Sequence, residues 1–159
     1  ERPVAIKVAV LTVSSTRIEE NDTSGKEIMA LLGQAGIKVG NYAIIPDNIE
    51  AIQREVLDSF QSCNCVILNG VTGLTHDDCT IEAVSPLLEK KIDGFGELFR
   101  AKSVNEVGTA AMLSRAIAGV CHEKVVFCIP GSTPAATLAT RELIIPELRH
   151  IISHAMKRS

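Results

Sequence analysis

The chain has 159 residues, of which 46% are hydrophobic and 3% aromatic, and its formal net charge is −3. A mildly acidic chain with few aromatic side chains lacks the basic footprint and the stacking surface that nucleic-acid binding requires, and no apolar run approaches the roughly 18 residues of a membrane span. We therefore expect a single domain over residues 1–159 that binds neither nucleic acid nor a membrane.

The cysteines and the amino terminus indicate a reducing compartment. Five cysteines are an odd number, and Cys63 and Cys65 lie in or beside an apparent strand. Buried, reduced thiols are the simplest interpretation. The start, Glu1-Arg2-Pro3, has no signal-peptide pattern, so the expected location is the cytoplasm.

The first predicted unit is a strand, a loop and a helix. Residues 4–13 form a valine-rich apolar run, typical of a strand buried on both faces of a parallel sheet. Residues 14–21 are polar and predict a loop. Ser24 and Glu27 have capping-box spacing, and Gly36 marks the helix stop. The apolar stripe of this helix comprises Ile28, Leu31, Leu32 and Ala35.

A second strand and helix follow. Residues 38–45 predict the strand, and residues 46–50 begin the helix, with Asp47 as its N-cap and Glu50 three residues later. The apolar stripe of this helix comprises Ile49, Ile52, Val56, Leu57 and Phe60.

The stretch around residues 68–82 carries the strongest functional signal. An apolar strand at residues 65–68 turns through Gly70 and Gly73 toward a helix that starts near Ile81. The polar residues before that helix are Asp77, Asp78 and Thr80. A strand, a glycine loop and a helix start form a ligand cradle in α/β proteins, and paired carboxylates suit a divalent cation. The alternative is an ordinary strand-to-helix connection.

Ser85-Pro86 is expected to kink or restart a helix. Residues 94–100 predict a turn into a short helix, and residues 109–119 predict a helix with small residues on one side. A strand is predicted at residues 124–129.

The last predicted helix begins in the turn at residues 130–134. Thr133 is the expected N-cap and Pro134 the first helical residue, with a kink at Pro146. Its apolar residues are Leu138, Ile144, Ile145, Leu148, Ile151 and Ile152.

Alternating strands and helices predict an α/β protein with a parallel sheet covered by helices. Ligands of such sheets bind beyond the carboxyl ends of the strands. Three loops are expected there, at residues 14–25, 70–80 and 130–134.

Several of the candidate residues have a second interpretation. Asp47 and Asp78 are either Mg²⁺ ligands or helix-start residues. Residues 130–133 suit an anion or simply form a turn. Ser114 and Arg115 contact a ligand or lie on the surface. His150 and His154, four residues apart, more plausibly form a solvated helix face than a metal site, because no third ligand is near in sequence.

Together these motifs resemble the MoaB/Mog family of molybdenum cofactor biosynthesis proteins, also found as the G domain of gephyrin-type proteins. The resemblance runs from about Val4 to Leu148. It rests on the order and spacing of residues 11–14, 22–25, 46–47, 70–82, 94–100, 114–119 and 130–132. Thr133 after the Pro-Gly-Ser turn is more similar to MoaB than to Mog.

The resemblance implies a three-layer α/β/α fold with a mostly parallel central sheet, assembled as trimers or as hexamers made of two trimers. It implies binding of molybdopterin and, with Mg²⁺ and ATP, adenylylation of its terminal phosphate. Asp47 and Asp78 match the catalytic, Mg²⁺-holding acids. The implied binding residues are Gly70, Thr72, Gly73, Thr80, Glu82, Ser114, Gly131 and Ser132. Other enzymes of the same pathway are implied partners.

Two residues depart from the family pattern. Val71 occupies the second position of a loop that is usually Gly-Gly-Thr-Gly, and valine is strained at positive φ. Asp77 replaces an arginine that could grip a phosphate with two hydrogen bonds. The leading hypothesis is an adenylyltransferase. The alternatives are a MoaB-like protein that binds molybdopterin or a nucleotide with little catalysis, and a structural oligomer with a retired site.

Overall fold

The computed structural model describes residues 5–157, which form a sheet of six strands. The strands are β1 (Lys7–Val13), β2 (Lys38–Ile45), β3 (Cys65–Asn69), β4 (Lys90–Lys91), β5 (Ile117–Cys121) and β6 (Lys124–Ile129). Their order across the sheet is β2-β1-β3-β6-β5-β4. The four strands from β2 to β6 are parallel, whereas β5 runs antiparallel to β6 and β4. The predicted, mostly parallel sheet is confirmed.

Helices cover both faces of this sheet. They are α1 (Thr23–Gln34), α2 (Ile49–Ser59), α3 (Thr80–Val84), α4 (Asp93–Val107), α5 (Thr133–Ala139) and α6 (Ile145–Ala155). Short 3₁₀ turns occupy Glu19–Asn21, Ser85–Leu87 and Gly108–Leu113. The turn at Ser85–Leu87 is the helix restart expected at Ser85-Pro86.

Alternation along the strands creates two apolar cores. Val8 and Val10 of β1 lie in one core with residues of α1, α4, α5 and α6. Ala9 and Leu11 lie in the other core with residues of α2 and α3. Because successive side chains of a strand point to opposite faces, one apolar run serves both cores. The three-layer α/β/α architecture is therefore confirmed.

Several predicted element starts were wrong by one or more residues. β1 begins at Lys7, and the expected start at Val4, like Glu1-Arg2-Pro3, lies outside the described residues. Asp22 caps α1 instead of Ser24, because its carboxylate accepts a hydrogen bond from Gly25 N at 3.1 Å.

The predicted helix at residues 109–119 was wrong. Gly108, with φ of 65°, ends α4, and a short 3₁₀ turn leads into β5 instead. The small residues reflect close packing rather than helix propensity, because a Cβ on Gly119 would lie 2.6 Å from the carbonyl oxygen of Lys90. The helix expected within residues 94–100 is longer than predicted and spans Asp93–Val107.

The carboxyl-terminal helix changes pitch near the predicted kink. A π-helical segment, Thr140–Ile144, joins α5 to α6, and Pro146 lies in the first turn of α6. A proline has no backbone N–H to donate to the preceding turn, which explains why the helix is irregular just before it. Ser132, not Thr133, is the N-cap of α5.

The five cysteines are free thiols, and four of them are buried. Within residues 5–157, no helix combines the length and the apolar character needed to cross a bilayer.

Candidate functional site

The loops that follow β1, β3 and β6 converge at the carboxyl ends of these strands. Gly70 N donates to Ile129 O at 3.0 Å, which links the second loop to the end of β6, where the third loop begins. Arg17 Nη2 in the first loop donates to Gly131 O at 2.9 Å, which links the first loop to the third. The structure therefore brings together the three loops predicted from the sequence.

The glycine loop after β3 has an unusual backbone. A Cβ on Gly70, whose φ is 106°, would lie 2.5 Å from Val13 O, so only glycine fits there. Val71 has φ of 58°, the left-handed region that a β-branched residue rarely adopts. Thr80 supports both residues, since its hydroxyl donates to Gly70 O at 2.8 Å and its backbone N donates to Val71 O at 3.1 Å. The position held by Val71 does require positive φ.

Arg115 holds the far side of this loop. Its Nε donates to Gly73 O at 3.0 Å, and its Nη2 donates to Asp78 O at 3.3 Å and to Glu82 Oε1 at 3.2 Å. The hydrogen bond from Arg115 lowers the pKa of Glu82, and the same bond raises the pKa of Arg115. The sequence left open whether Arg115 contacts a ligand or lies on the surface, and the structure places it against the glycine loop. The carboxylate of Glu82 accepts hydrogen bonds from Arg115.

Asp78 presents a fixed carboxylate inside the loop. Its Oδ2 accepts hydrogen bonds from Thr75 N at 2.9 Å and from Thr75 Oγ1 at 2.8 Å. A Cβ on Gly73 would lie 2.7 Å from this oxygen, so the loop and the carboxylate fit closely. The interpretation of Asp78 as a first-turn helix residue was wrong, because α3 begins at Thr80.

Asp47 is likewise not a helix cap. The N-cap of α2 is Asn48, whose side-chain oxygen accepts from Ala51 N at 2.9 Å. The sequence failed to separate the two residues because both types cap helices well. The structure leaves the half-buried Asp47 without this capping role.

Acidic side chains surround Cys79, which lies between the glycine loop and α3. Burial raises the pKa of its thiol, and the negative charges of Asp47, Glu82, Asp78 and Asp77 raise it further. The carboxylate oxygens of Asp47 and Asp78 are the donor type that Mg²⁺ prefers.

A buried carboxylate anchors the first loop, and the sequence reasoning missed its role. Asp22 accepts hydrogen bonds from Thr12 Oγ1 at 2.7 Å, Tyr42 OH at 2.5 Å and Gly25 N at 3.1 Å. Burial opposes its ionisation, but these hydrogen bonds outweigh that effect and lower the pKa of Asp22. Burial and the bond to Asp22 raise the pKa of Tyr42.

The hydrogen-bond network continues from Asp22 to the carboxyl end of β3. Arg17 Nη1 lies 2.6 Å from Ser24 Oγ and 3.4 Å from Asp22 Oδ1, and Ser24 Oγ donates to Asn69 Oδ1 at 2.8 Å. Thr12 and Asn69 are the polar residues at the ends of two apolar strands. Thr12 also lies in the family-like stretch at residues 11–14, and Asn69 lies in the stretch at residues 68–82.

The remaining predicted residues line the same edge. Gly131 packs against the glycine loop, because a Cβ there would lie 3.0 Å from the Cα of Gly70. Ser132 Oγ caps α5 by accepting from the backbone N of Ala135 at 3.3 Å. Thr72 is buried, and its carbonyl accepts from Arg115 Nε at 3.4 Å.

Ser114 directly precedes Arg115 and ties the chain before β5. Its carbonyl oxygen accepts from Arg100 Nη1 at 3.2 Å, and its hydroxyl oxygen accepts from Ala116 N at 3.4 Å.

By contrast, His150 and His154 lie on the exposed face of α6, where Nδ1 of His150 is 3.2 Å from Glu147 Oε1. This matches the interpretation of the pair as a solvated surface.

Similar proteins are known at the level of the sequence and of the fold. A family model described as a probable molybdopterin binding domain matches residues 9–150. Molybdenum cofactor biosynthesis protein B of Bacillus cereus is 49% identical over 154 residues, which is 95% of this chain and 91% of that protein.

Two solved structures extend the likeness to three dimensions. A crystal structure of a molybdenum cofactor biosynthesis protein B has a TM-score of 0.94 at 47% identity, covering 99% of this chain and 100% of that one. The tungsten cofactor synthesizing protein MoaB of Pyrococcus furiosus has a TM-score of 0.88 at 37% identity, covering 98% and 100%.

Proposed function

The chain belongs to the molybdopterin-binding family of molybdenum cofactor biosynthesis proteins, and on that premise we propose that it adenylylates the terminal phosphate of molybdopterin with Mg-ATP. The observation that carries this proposal is the fixed carboxylate of Asp78 against Gly73, in a loop whose Gly73 carbonyl oxygen accepts a hydrogen bond from Arg115.

In the proposed reaction, a terminal phosphate oxygen of molybdopterin attacks the α-phosphorus of ATP, and pyrophosphate leaves. Bound Mg²⁺ would offset the negative charge of the phosphates. Asp47 and Asp78 would hold the ion, since Mg²⁺ commonly takes one or two carboxylates together with substrate phosphates. Such transfers depend on positioning and charge neutralisation rather than on a covalent nucleophile.

We propose distinct roles for the other residues. The backbones of Gly70, Gly73 and Gly131 admit the ligand, because no Cβ stands in the way. Thr72, Ser114 and Ser132 would contact the phosphate or the pterin. Thr80 and Glu82 act indirectly, because the hydroxyl of Thr80 is bonded to Gly70 O and the carboxylate of Glu82 to Arg115.

The proposal is tested by incubating the protein with molybdopterin, ATP and MgCl₂ and measuring the mass of the pterin product. Adenylylated molybdopterin formed together with pyrophosphate supports it. Omission of Mg²⁺ is the matched control and should abolish the product. Bound but unmodified molybdopterin would instead support the second candidate function.

That second candidate is a protein that binds molybdopterin or a nucleotide with little catalysis. Two observations favour it over the adenylyltransferase. Val71 holds a strained, positive φ in the glycine loop, and the exposed carboxylate of Asp77 adds negative charge where ATP phosphates would lie. We expect both features to weaken nucleotide binding.

We also propose an assembly and a cellular setting. Exposed apolar side chains lie along α4 and the turn after it, including Leu98, Val107 and Met112, and they favour a trimer or a hexamer of two trimers. Five free thiols suit the cytoplasm, where the protein would meet other enzymes of the pathway. Residues 1–159 are proposed to act as one domain.

A further inference from the structure

The hairpin between β5 and β6 lies at the opposite end of the sheet from the candidate site. Its two turn residues, His122 and Glu123, have φ of 51° and 63°, and Cys121 pairs with Lys124 across the turn. Two successive left-handed residues form a type I′ turn, for which asparagine and glycine are the usual choices. A turn made of histidine and glutamate costs backbone strain, and such strain concentrates at functional positions.

Three side chains that ligate metals meet beside this turn. Glu89, Cys121 and His122 each offer one ligand atom, and these atoms all lie within 4.8 Å of one another. Glu89 is held in place because its backbone N donates to Val120 O at 2.8 Å. Among residues 5–157, this is the one group of three or more such donors close enough to share an ion.

We propose that Glu89, Cys121 and His122 form a zinc site, with water as the fourth ligand. Thiolate, imidazole and carboxylate are the donors that Zn²⁺ binds in tetrahedral sites, whereas Mg²⁺ and Ca²⁺ take oxygen ligands. The cysteine therefore distinguishes this group from the acidic candidate site at the other end of the sheet.

The surroundings of the three side chains hold the ligands in place and leave access for a metal ion. Cys121 is 2% exposed, so its thiol is shielded from solvent. Glu89 and His122 are exposed, so the ion and its bound water can reach the site from solvent. The ring of Phe60 packs edge-on against the imidazole of His122, with 6.2 Å between centroids, which fixes the ligand ring. Aromatic pairs favour this geometry.

The test uses the full chain, stripped with a chelator and titrated with Co²⁺ as a spectroscopic stand-in for zinc. We expect one equivalent of Co²⁺ to give a thiolate charge-transfer band, which one equivalent of Zn²⁺ then abolishes. Zinc should also raise the melting temperature of the wild type, because a ligand that binds only the folded state stabilises it.

The decisive variant is His122→Asn. Asparagine tolerates the left-handed conformation, so the hairpin should remain folded while one ligand is lost. Zinc affinity should then fall by more than the roughly 10–100-fold that loss of an outer-shell partner costs. Cys121→Ser should abolish the band, and Cys79→Ser, which removes a different, half-exposed thiol, should leave the band unchanged.

The absence of a charge-transfer band in the wild type would overturn the proposal. A band that survives Cys121→Ser would overturn it as well, and so would an unchanged zinc affinity in His122→Asn or a band lost in Cys79→Ser. None of these measurements depends on molybdopterin, so their outcome is independent of the proposed function.

Discussion

Arg115 and Glu82 form a bidentate ion pair. The guanidinium of Arg115 also donates a hydrogen bond to the carbonyl oxygen of Gly73 in the glycine loop. Nη2 of Arg115 lies 3.2 Å from Glu82 Oε1, and Nε lies 3.0 Å from Gly73 O. One side chain thus links the start of β5, the glycine loop and α3. The pair fixes the shape of the loop.

The first prediction is that Arg115→Lys weakens molybdopterin binding. Lysine keeps the charge but loses the planar fork that reaches Gly73 O and Glu82 together, so the glycine loop should be held less firmly. Calorimetric titration should show affinity up to about fivefold lower, because a partly exposed ion pair contributes roughly 0.2–1 kcal/mol. Glu82→Gln retains an acceptor oxygen and is the matched control, with a smaller loss. Equal affinity of wild type and Arg115→Lys would contradict the assigned role.

The second prediction concerns the two departures in the glycine loop. Val71→Gly removes the φ penalty, and Asp77→Arg replaces a repulsive charge with a phosphate-binding fork. The double variant should bind Mg-ATP more tightly by about tenfold or more. Both single variants should be titrated too, because neighbouring sites couple. No gain over a wild type that already turns over ATP would mean that the loop tolerates Val71.

Val71→Ala is the control for backbone strain. Alanine removes most of the side chain but still carries a Cβ at φ of 58°. Left-handed backbone costs an L-residue roughly 1–2 kcal/mol, so Val71→Gly should unfold at higher denaturant than Val71→Ala. The reverse order would show that the side chain matters more than the backbone.

The third prediction is that Asp22 makes stability depend on pH. Its folded-state pKa is lowered from an ordinary value of 3.8, so its contribution is complete above that value and is lost as the pH falls through the folded-state pKa. Asp22→Asn should reduce the free energy of unfolding at neutral pH by roughly 1.5–3 kcal/mol. Denaturant unfolding should show this difference shrinking below about pH 4. A difference that is constant with pH would contradict the assignment.

The fourth prediction is that the exposed apolar surface of α4 and the following turn holds the oligomer together. Met112 is 79% exposed and Leu113 is 56% exposed, which is costly for apolar side chains facing water. Light scattering should show a trimer or a hexamer, and Met112→Glu with Leu113→Glu should shift it to monomers. A wild type that is a monomer at every concentration would refute the assembly.

The sequence predicted the sheet well because its signals are local. Continuous apolar runs at β1, β3 and β6 fixed strands buried on both faces, and helix periodicity between them fixed the layers. It failed at β5, where small residues that allow close packing against Lys90 resembled a helix face.

The candidate site was predictable only in part, because its key contacts join residues far apart in the chain. The glycine loop and Asp78 lie in one short stretch and were identified. Arg115 is 42 positions from Gly73, and Asn69 is 57 positions from Thr12. No local pattern reports such partners, so these networks became evident only from the fold.

The most direct test of the central claim is the rate of AMP transfer to molybdopterin by Asp78→Asn and Asp77→Asn, each compared with wild type. Asp78 faces Gly73 inside the loop, whereas its neighbour Asp77 is exposed. If Asp78 holds Mg²⁺, Asp78→Asn should slow Mg-dependent transfer by roughly 10²–10³-fold, whereas Asp77→Asn, which removes a charge that repels ATP, should not slow it. Equal rates for Asp78→Asn and wild type would contradict the account.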